Sequence, residues 1–326
     1  MTVRTMVEAI RLTLEQELAR DGSVVLLGED VGRLGGVFRA TDGLQRRFGE
    51  NRVIDAPLAE AVIAGAAVGL AVSGMRPVIE MQFLGFAHQA FHQIAGQIAR
   101  YGFRSQGRFP MPVTIRAPFG GGVRTPELHS DALEAQFVQC PGLKIVMPAC
   151  ARDAKGLLAA AIRDPDPVLF CEPLRGYRLV KDEVPDEEYT IPFGQARTVR
   201  DGGDVTLVAW SAAVQLCERA ADQAAREGIS CRVIDLRTLV PLDVATLVAC
   251  TEETGRVVVV HEAPLTGGFG AEIAATVQEE AFYSLEAPVA RVTAPDMPYP
   301  LAGAEELYLP GEERVLAAVR ETVAAR

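Results

Sequence analysis

Two kinds of apolar spacing alternate along the first half of the chain. Short β-branched runs, "SVVLLGED", "RPVIEMQF", "PVTIRAPF", "LKIVMP" and "PVLFCEP", read as buried strands. Between them, stretches at about 59–73, 86–103 and 152–163 carry helical spacing. Nearer the N-terminus, Met6, Ile10, Leu14 and Leu18 recur at i+4, which predicts an amphipathic helix closed by Asp21-Gly22. Strand–helix–strand repetition of this sort implies a mainly parallel sheet with helices on both faces. Residues 175–203 interrupt it: "VKDEVPDEEYTIPFG" is acidic, contains two prolines and reads as a surface connection. The alternation then resumes, with "DVTLVAW", "CRVIDLR" and "RVVVVHEAP" as strands and helices at 212–227 and in "PLDVATLVAC". The predicted organisation is an α/β domain over 1–180, a linker over 181–203 and a smaller α/β domain over 204–326, with no internal repeat.

One helical stretch is unusual. "DAPLAEAVIAGAAVGLAVSG" (55–74) has twelve uncharged residues from Ala61 to Val72, too few for a membrane span, which needs ~20. Ala61, Gly65 and Gly69 recur every four residues, so they share a face on which another backbone can approach closely. Glu60 falls in the first turn, where the helix dipole favours a negative charge. On these residues alone it reads either as a solvated N-terminal charge or as a functional carboxylate.

Composition narrows the classes. At 326 residues the chain has room for two cores, and a net charge of -11 without a basic cluster excludes a nucleic-acid binder. The six cysteines are widely spaced, with neither a CxxC pair nor paired metal spacing, and read as reduced residues of a cytoplasmic protein. Only Lys144, Lys155 and Lys181 exist, none in a P-loop.

In open parallel sheets, functional residues gather beyond the carboxyl ends of the strands. "GED" (28–30), "EMQF" (80–83) and "APFGGGVRTPELHSD" (117–131) fall there. His129 lies in the last of these, after Gly120, Gly121 and Gly122 and before a helix expected near Asp131. Such glycines let backbone approach a ligand, and a histidine there exchanges protons near neutrality. "HSD" is no catalytic triad, because triad residues converge from separate loops and no GxSxG elbow is present. His88 and His92 in "HQAFH" have the spacing of a zinc helix, but Gln89 replaces the glutamate and no third ligand is evident. His261, ending a strand beside Glu262, reads equally as a ligand contact or as an interface residue.

Taken together, "GEDVGRLGGVFRATDGL" (28–44), "DAPLAE" (55–60), "RPVIEMQF" (76–83), "PFGGGVRTPELHSD" (118–131), "PGLKIVMP" (141–148), "DAKGLL" (153–158), "VIDLRT" (233–238) and "HEAPLTGGFGAEI" (261–273) closely resemble one family. It is that of the beta subunits of the decarboxylating component of 2-oxoacid dehydrogenase complexes. The resemblance runs in unbroken order from about residue 3 to the C-terminus. It implies a transketolase-like fold, with a pyrimidine-binding domain followed by a transketolase C-terminal domain. It also implies thiamine diphosphate with magnesium as cofactor, an alpha subunit in an α2β2 heterotetramer and a lipoyl-bearing acyltransferase as partner.

The resemblance assigns roles residue by residue. Glu60 matches the glutamate that hydrogen-bonds the aminopyrimidine ring, which promotes loss of the proton from the thiazolium carbon. Leu58, Gln82 and Phe86 match cofactor contacts, with many relatives carrying tyrosine where Phe86 stands. His129 matches the loop histidine that supports acyl transfer to lipoyl. Glu29 matches an acid that relays protons between two active sites. "AIRDPD" resembles a potassium loop, with the Ala161 carbonyl, Asp164 and Asp166 as oxygen ligands. The GDG motif and distal asparagine that hold diphosphate and magnesium are absent; "DGGD" (201–204) is the nearest approach, so the alpha subunit is expected to bring them. "HEAPLTGGF" and "LEAPVARV" lean slightly towards branched-chain 2-oxoacids, "GGVFRATDGL" and "RTPELHSD" towards pyruvate. An acetoin dehydrogenase beta subunit and a non-catalytic structural subunit are the alternatives.

Overall fold

In the computed structural model, which describes residues 1–325, the apolar strands assemble into two sheets. The first has seven strands, in the order Thr238–Val240, Lys144–Val146, Val168–Pro173, Thr114–Phe119, Arg76–Glu80, Val24–Glu29 and Val53–Ala56. All its pairings are parallel except that of Thr238–Val240 with Lys144–Val146. The second has five, Ala290–Ala294, Val257–Pro264, Val205–Ala209, Cys231–Asp235 and Arg197–Arg200, with the last antiparallel. The fold is mixed α/β with a mainly parallel first sheet, as the sequence pattern implied.

The N-terminal helix spans Met6–Arg20 and closes a capping box between Thr5 and Glu8. Its Met6, Ile10, Leu14 and Leu18 are buried in a cluster with Leu157, Leu158 and Ile162 of the helix Ala151–Arg163. Each such burial stabilises by about 1.5–3 kcal/mol relative to exposure. The opposite face of the sheet carries a larger cluster. It joins Ile63, Ala67, Ile94 and Phe137 to Val208, Trp210, Ile234 and Ile273, so the two domains share one core.

Three expectations change. The stretch expected as helix over 86–103 begins as a 3₁₀ helix at Leu84–Ala90, widens to a π-helix at His92–Ile98 and ends as an α-helix at Ala99–Arg104. Over so few turns, apolar spacing does not separate the three kinds of helix. The helix expected near Asp131 starts at Glu134, because the Asp131 carboxylate turns back to accept from the Leu128 N–H at 2.9 Å. The interval 181–203 contains strands at both ends: Lys181–Val184 pairs with Thr2–Thr5, and Arg197–Arg200 edges the second sheet. Between them, the buried Lys155 ammonium holds the carbonyls of Pro185 and Glu187 at 2.5 and 2.7 Å. Among the described residues, no helix is long and apolar enough to cross a membrane.

Candidate active site

The carboxyl ends of neighbouring strands converge as the sequence predicts. Register places Glu29 beside Ala56, and Glu80 beside Gly28 on one side and Arg116 on the other. The helix Glu60–Val72 starts at the same edge. Its N-cap, Ala59, has no side chain to offer the first N–H groups, so the charge beside them comes from Glu60 itself. Glu60 is only 4% exposed, whereas Leu58, two residues before, is 68% exposed. Glu60 Oε2 is buried and has no hydrogen-bond partner. Buried acceptors are nearly always satisfied, so this unpartnered oxygen, like those of Glu134 and Asp235, is open to a group from outside the chain.

Glu29 and Gln82 join Glu60. Burial pushes the Glu29 carboxyl above the usual range, and the negative charges of Asp30 and Glu60 push it further, while a hydrogen bond from Gln82 acts in the opposite sense. Glu29 therefore keeps its proton to higher pH than an ordinary glutamate. Asp55 organises the entrance, its carboxylate accepting from the backbone N–H of Gly32 at 2.6 Å and of Arg33 at 3.1 Å.

His129 stands over a pair of aromatic rings. Its ring centroid lies 4.7 Å from Phe83 and 5.0 Å from Phe86, both edge-on, and the two phenyl rings are 5.8 Å apart. Only glycine permits this: a Cβ on Gly85 would fall 2.1 Å from the carbonyl oxygen of Leu128. The other glycines of this region correct an expectation. Gly120, Gly121 and Gly122 approach protein: a Cβ on each would lie 2.6 Å from Glu262 Oε2, 2.2 Å from the Tyr299 hydroxyl and 2.8 Å from Arg175 Cδ, respectively.

The loop Ala161–Asp166 does not fit a potassium ion. Lys144 Nζ lies 2.8 Å from both Asp164 carboxylate oxygens and 3.1 Å from Asp166. The Arg76 guanidinium donates to the carbonyls of Ile162 and Asp164 at 3.0 and 3.1 Å, and the Ala161 carbonyl accepts from the Asp164 N–H. Internal cations already serve these oxygens. Arg76 begins its strand, so the loop also lies at the edge of the sheet opposite Glu60.

The remaining histidines stand apart. His88 is exposed and bonds Gln136 at 2.7 Å, and His92 begins the π-helix. Among the described residues no group of three or more His, Cys, Asp or Glu could hold a metal ion. His261 stacks on Trp210 with centroids 5.0 Å apart, burial pushes its pKa down to about 4, and neither ring nitrogen has a hydrogen-bond partner. The six cysteines are free thiols.

A buried charge network escaped the sequence reading. The Arg116 guanidinium, fully buried, donates to both oxygens of Glu172 at 2.7 and 2.8 Å and also to Glu80. The Tyr177 hydroxyl donates to Glu172 from beyond it. The signal was present: "VIE", "TIR" and "LFCE" each place one charge in an otherwise apolar strand.

Comparison with known proteins shows the family and the fold. Residues 3–179 match the family described as the transketolase pyrimidine binding domain, and 194–315 match the transketolase C-terminal domain. The pyruvate dehydrogenase E1 component subunit beta of Staphylococcus epidermidis is 52% identical over 99% of this chain and 99% of its own length. That of Bacillus subtilis strain 168 is 50% identical over the same shares. A solved chain described as "Split gene transketolase, inactive beta4 tetramer" superposes with a TM-score of 0.82 at 25% identity, over 98% of each chain. The chain belongs to the family of E1-component beta subunits, a transketolase pyrimidine-binding domain joined to a transketolase C-terminal domain.

Proposed function

We propose that this chain is the catalytic beta subunit of a 2-oxoacid dehydrogenase acting on pyruvate. With an alpha subunit in an α2β2 heterotetramer, it decarboxylates the substrate through thiamine diphosphate and passes the acyl group to the lipoyl-bearing acyltransferase. The observation that carries this reading is the orphaned Glu60 Oε2, buried at the carboxyl edge of the pyrimidine-binding domain, where it fits a ring nitrogen donor. Thiamine diphosphate, when bound, supplies the carbon nucleophile that the 2-oxoacid lacks. Glu60 holds or releases a proton at Oε2, and Glu29 beside it extends the path for that proton. Gln82, Phe86 and the exposed apolar side chain of Leu58 would help to hold the ring, and His129 would serve the acyl transfer. Magnesium and diphosphate fall to the alpha subunit, since this chain has no GDG motif. Potassium is not part of the proposal, because Lys144 serves the oxygens of its expected ligands.

Pyruvate is favoured by relatives 50–52% identical that are named pyruvate dehydrogenase subunits, against the slight lean of "HEAPLTGGF" towards branched-chain acids. The outer face of the Glu60–Val72 helix supports an assembled state. A Cβ on Gly69 would meet nothing within 4 Å, and one on Gly65 only Gln93 at 3.9 Å, so this small-residue face is open to a second backbone.

Calorimetric titration tests the division of the site. The isolated chain should show no tight site for thiamine diphosphate with magnesium, and the chain co-purified with its alpha subunit should show one. Micromolar binding by the chain alone overturns the shared site. A panel of pyruvate, branched-chain 2-oxoacids and acetoin on the pair then reads the substrate, and preference for acetoin overturns the assignment.

His129→Ala separates the half-reactions. Lipoyl-dependent activity should fall more than decarboxylation measured with an artificial electron acceptor. Equal losses would remove the acyl-transfer role.

A further inference from the structure

The loop that carries His129 is held by the second domain. The Gly121 N–H donates to Glu262 Oε2 at 3.2 Å, and the Arg124 N–H donates to Glu305 Oε2 at 2.9 Å. The Tyr299 hydroxyl donates to the same Glu305 oxygen at 2.7 Å. Glu262 lies in the strand Val257–Pro264 and Glu305 begins the helix Glu305–Tyr308, both far along the chain from the loop. The close approaches of Gly120 to Glu262 and of Gly121 to Tyr299 leave no space for a side chain. Two separate carboxylates thus each accept a backbone N–H of one short segment, and two consecutive glycines, Gly120 and Gly121, leave room for that contact.

We infer that Glu262 and Glu305 are positioning residues, which clamp residues 120–124 to the second domain and so fix His129 over Phe83 and Phe86. The clamp itself stands on geometry, and its catalytic consequence rests on the role proposed above for His129.

The clamp is sensitive to pH through Glu262. Around that carboxyl stand Glu134 at the head of its helix, Arg175 beyond the strand Val168–Pro173, Glu305, and the phenols of Tyr299 and Tyr308. His261, adjacent on the strand, is neutral. Arg175 is the one cation among these groups. Desolvation pushes the Glu262 carboxyl up to about 7, outweighing the Gly121 N–H and Arg175, which favour its ionised form, while the charges of Glu134 and Glu305 add to the rise. A raised carboxyl contributes stability that is complete below the ordinary glutamate value and is lost as pH rises through about 7. Ionised Glu262 is relieved by water, which enters when the loop lifts. The clamp therefore loosens on the alkaline side of neutrality.

Hydrogen exchange of the full chain, read by mass spectrometry at the Gly121 and Arg124 amides, tests this without any cofactor. In the wild-type chain, protection corrected for intrinsic exchange should fall between about pH 6 and about pH 8. Glu262→Gln keeps an acceptor that cannot ionise, so protection should persist and its pH dependence should vanish. Glu262→Ala and Glu305→Ala should each raise exchange of residues 120–131 about tenfold and leave the second sheet unchanged. Unchanged loop exchange in both alanine variants overturns the clamp, as does wild-type pH dependence in Glu262→Gln. Should an alanine variant exchange rapidly throughout, the Glu262→Gln profile decides alone. In the assembled enzyme, Glu262→Gln should extend acyl transfer to higher pH than wild type, with decarboxylation unmoved. If the exchange results hold and this effect is missing, the clamp stands and the role of His129 falls.

Discussion

Glu60→Gln should lower turnover of the assembled enzyme by about 10²–10⁴-fold, the usual contribution of a positioned proton-transfer group. Glutamine preserves the shape of the side chain and its ability to hydrogen-bond, but it cannot exchange a proton at the atom left without a partner in this chain. Folding should survive, because even a buried charge in the first turn of a helix contributes no more than ~2 kcal/mol through the dipole. Proton–deuterium exchange at the reactive carbon of the cofactor in the tetramer, together with the melting temperature, separates the two effects. Exchange at the wild-type rate would return Glu60 to the role of a helix N-terminal charge.

Arg116→Ala should have the largest effect on stability. It leaves the Glu80 and Glu172 carboxylates buried without their common cation, and breaking a buried ion pair in this way costs about 3–5 kcal/mol. Burial, with the charge of Glu172, holds the Glu80 carboxyl above the ordinary range even with Arg116 present. A carboxyl raised in this direction contributes stability that is present below its ordinary value and lost as pH rises through its folded value. Removing the cation widens that gap, so the destabilisation should deepen with pH. Urea midpoints of wild type and variant at about pH 6 and about pH 8 read both effects. Replacing Arg116, Glu80 and Glu172 together with apolar residues of similar volume should recover most of the loss, because no unpaired charge then remains. A midpoint unchanged in Arg116→Ala would mean that water reaches this cluster.

The fold was legible in the sequence wherever burial writes a period. The i+4 row Met6, Ile10, Leu14 and Leu18 needs one apolar face, and it has one against the helix Ala151–Arg163. Glu60 was legible as a lone acid in a small-residue helix, and the structure adds that one of its oxygens lacks a donor. Partners distant in sequence were not legible. Arg116 and Glu172 are 56 residues apart, and nothing local says that their strands are neighbours. "GGG" read as room for a ligand, although glycine lets a backbone approach a distant carboxylate equally well. At Lys144 the resemblance of "AIRDPD" to a potassium loop pointed to a bound ion, whereas the cation at Asp164 is a residue of the same chain, 20 positions earlier.

The strand Thr238–Val240 comes from the second domain and runs antiparallel along Lys144–Val146 of the first. The boundary drawn by sequence families, at about residues 179–194, is therefore not a line along which the chain can be cut. A fragment ending there would present Lys144–Val146 as a bare edge, with its N–H and C=O groups free to pair with any other extended chain. It would also expose Ile94 and Phe137, which share a core with Trp210 and Ile273. The two modules are separable as units of descent, but in this chain they form a single object for folding. Exchanging the C-terminal module between relatives to alter specificity would have to preserve the pairing of its three-residue strand with Lys144–Val146 and the core that Ile94 and Phe137 offer it.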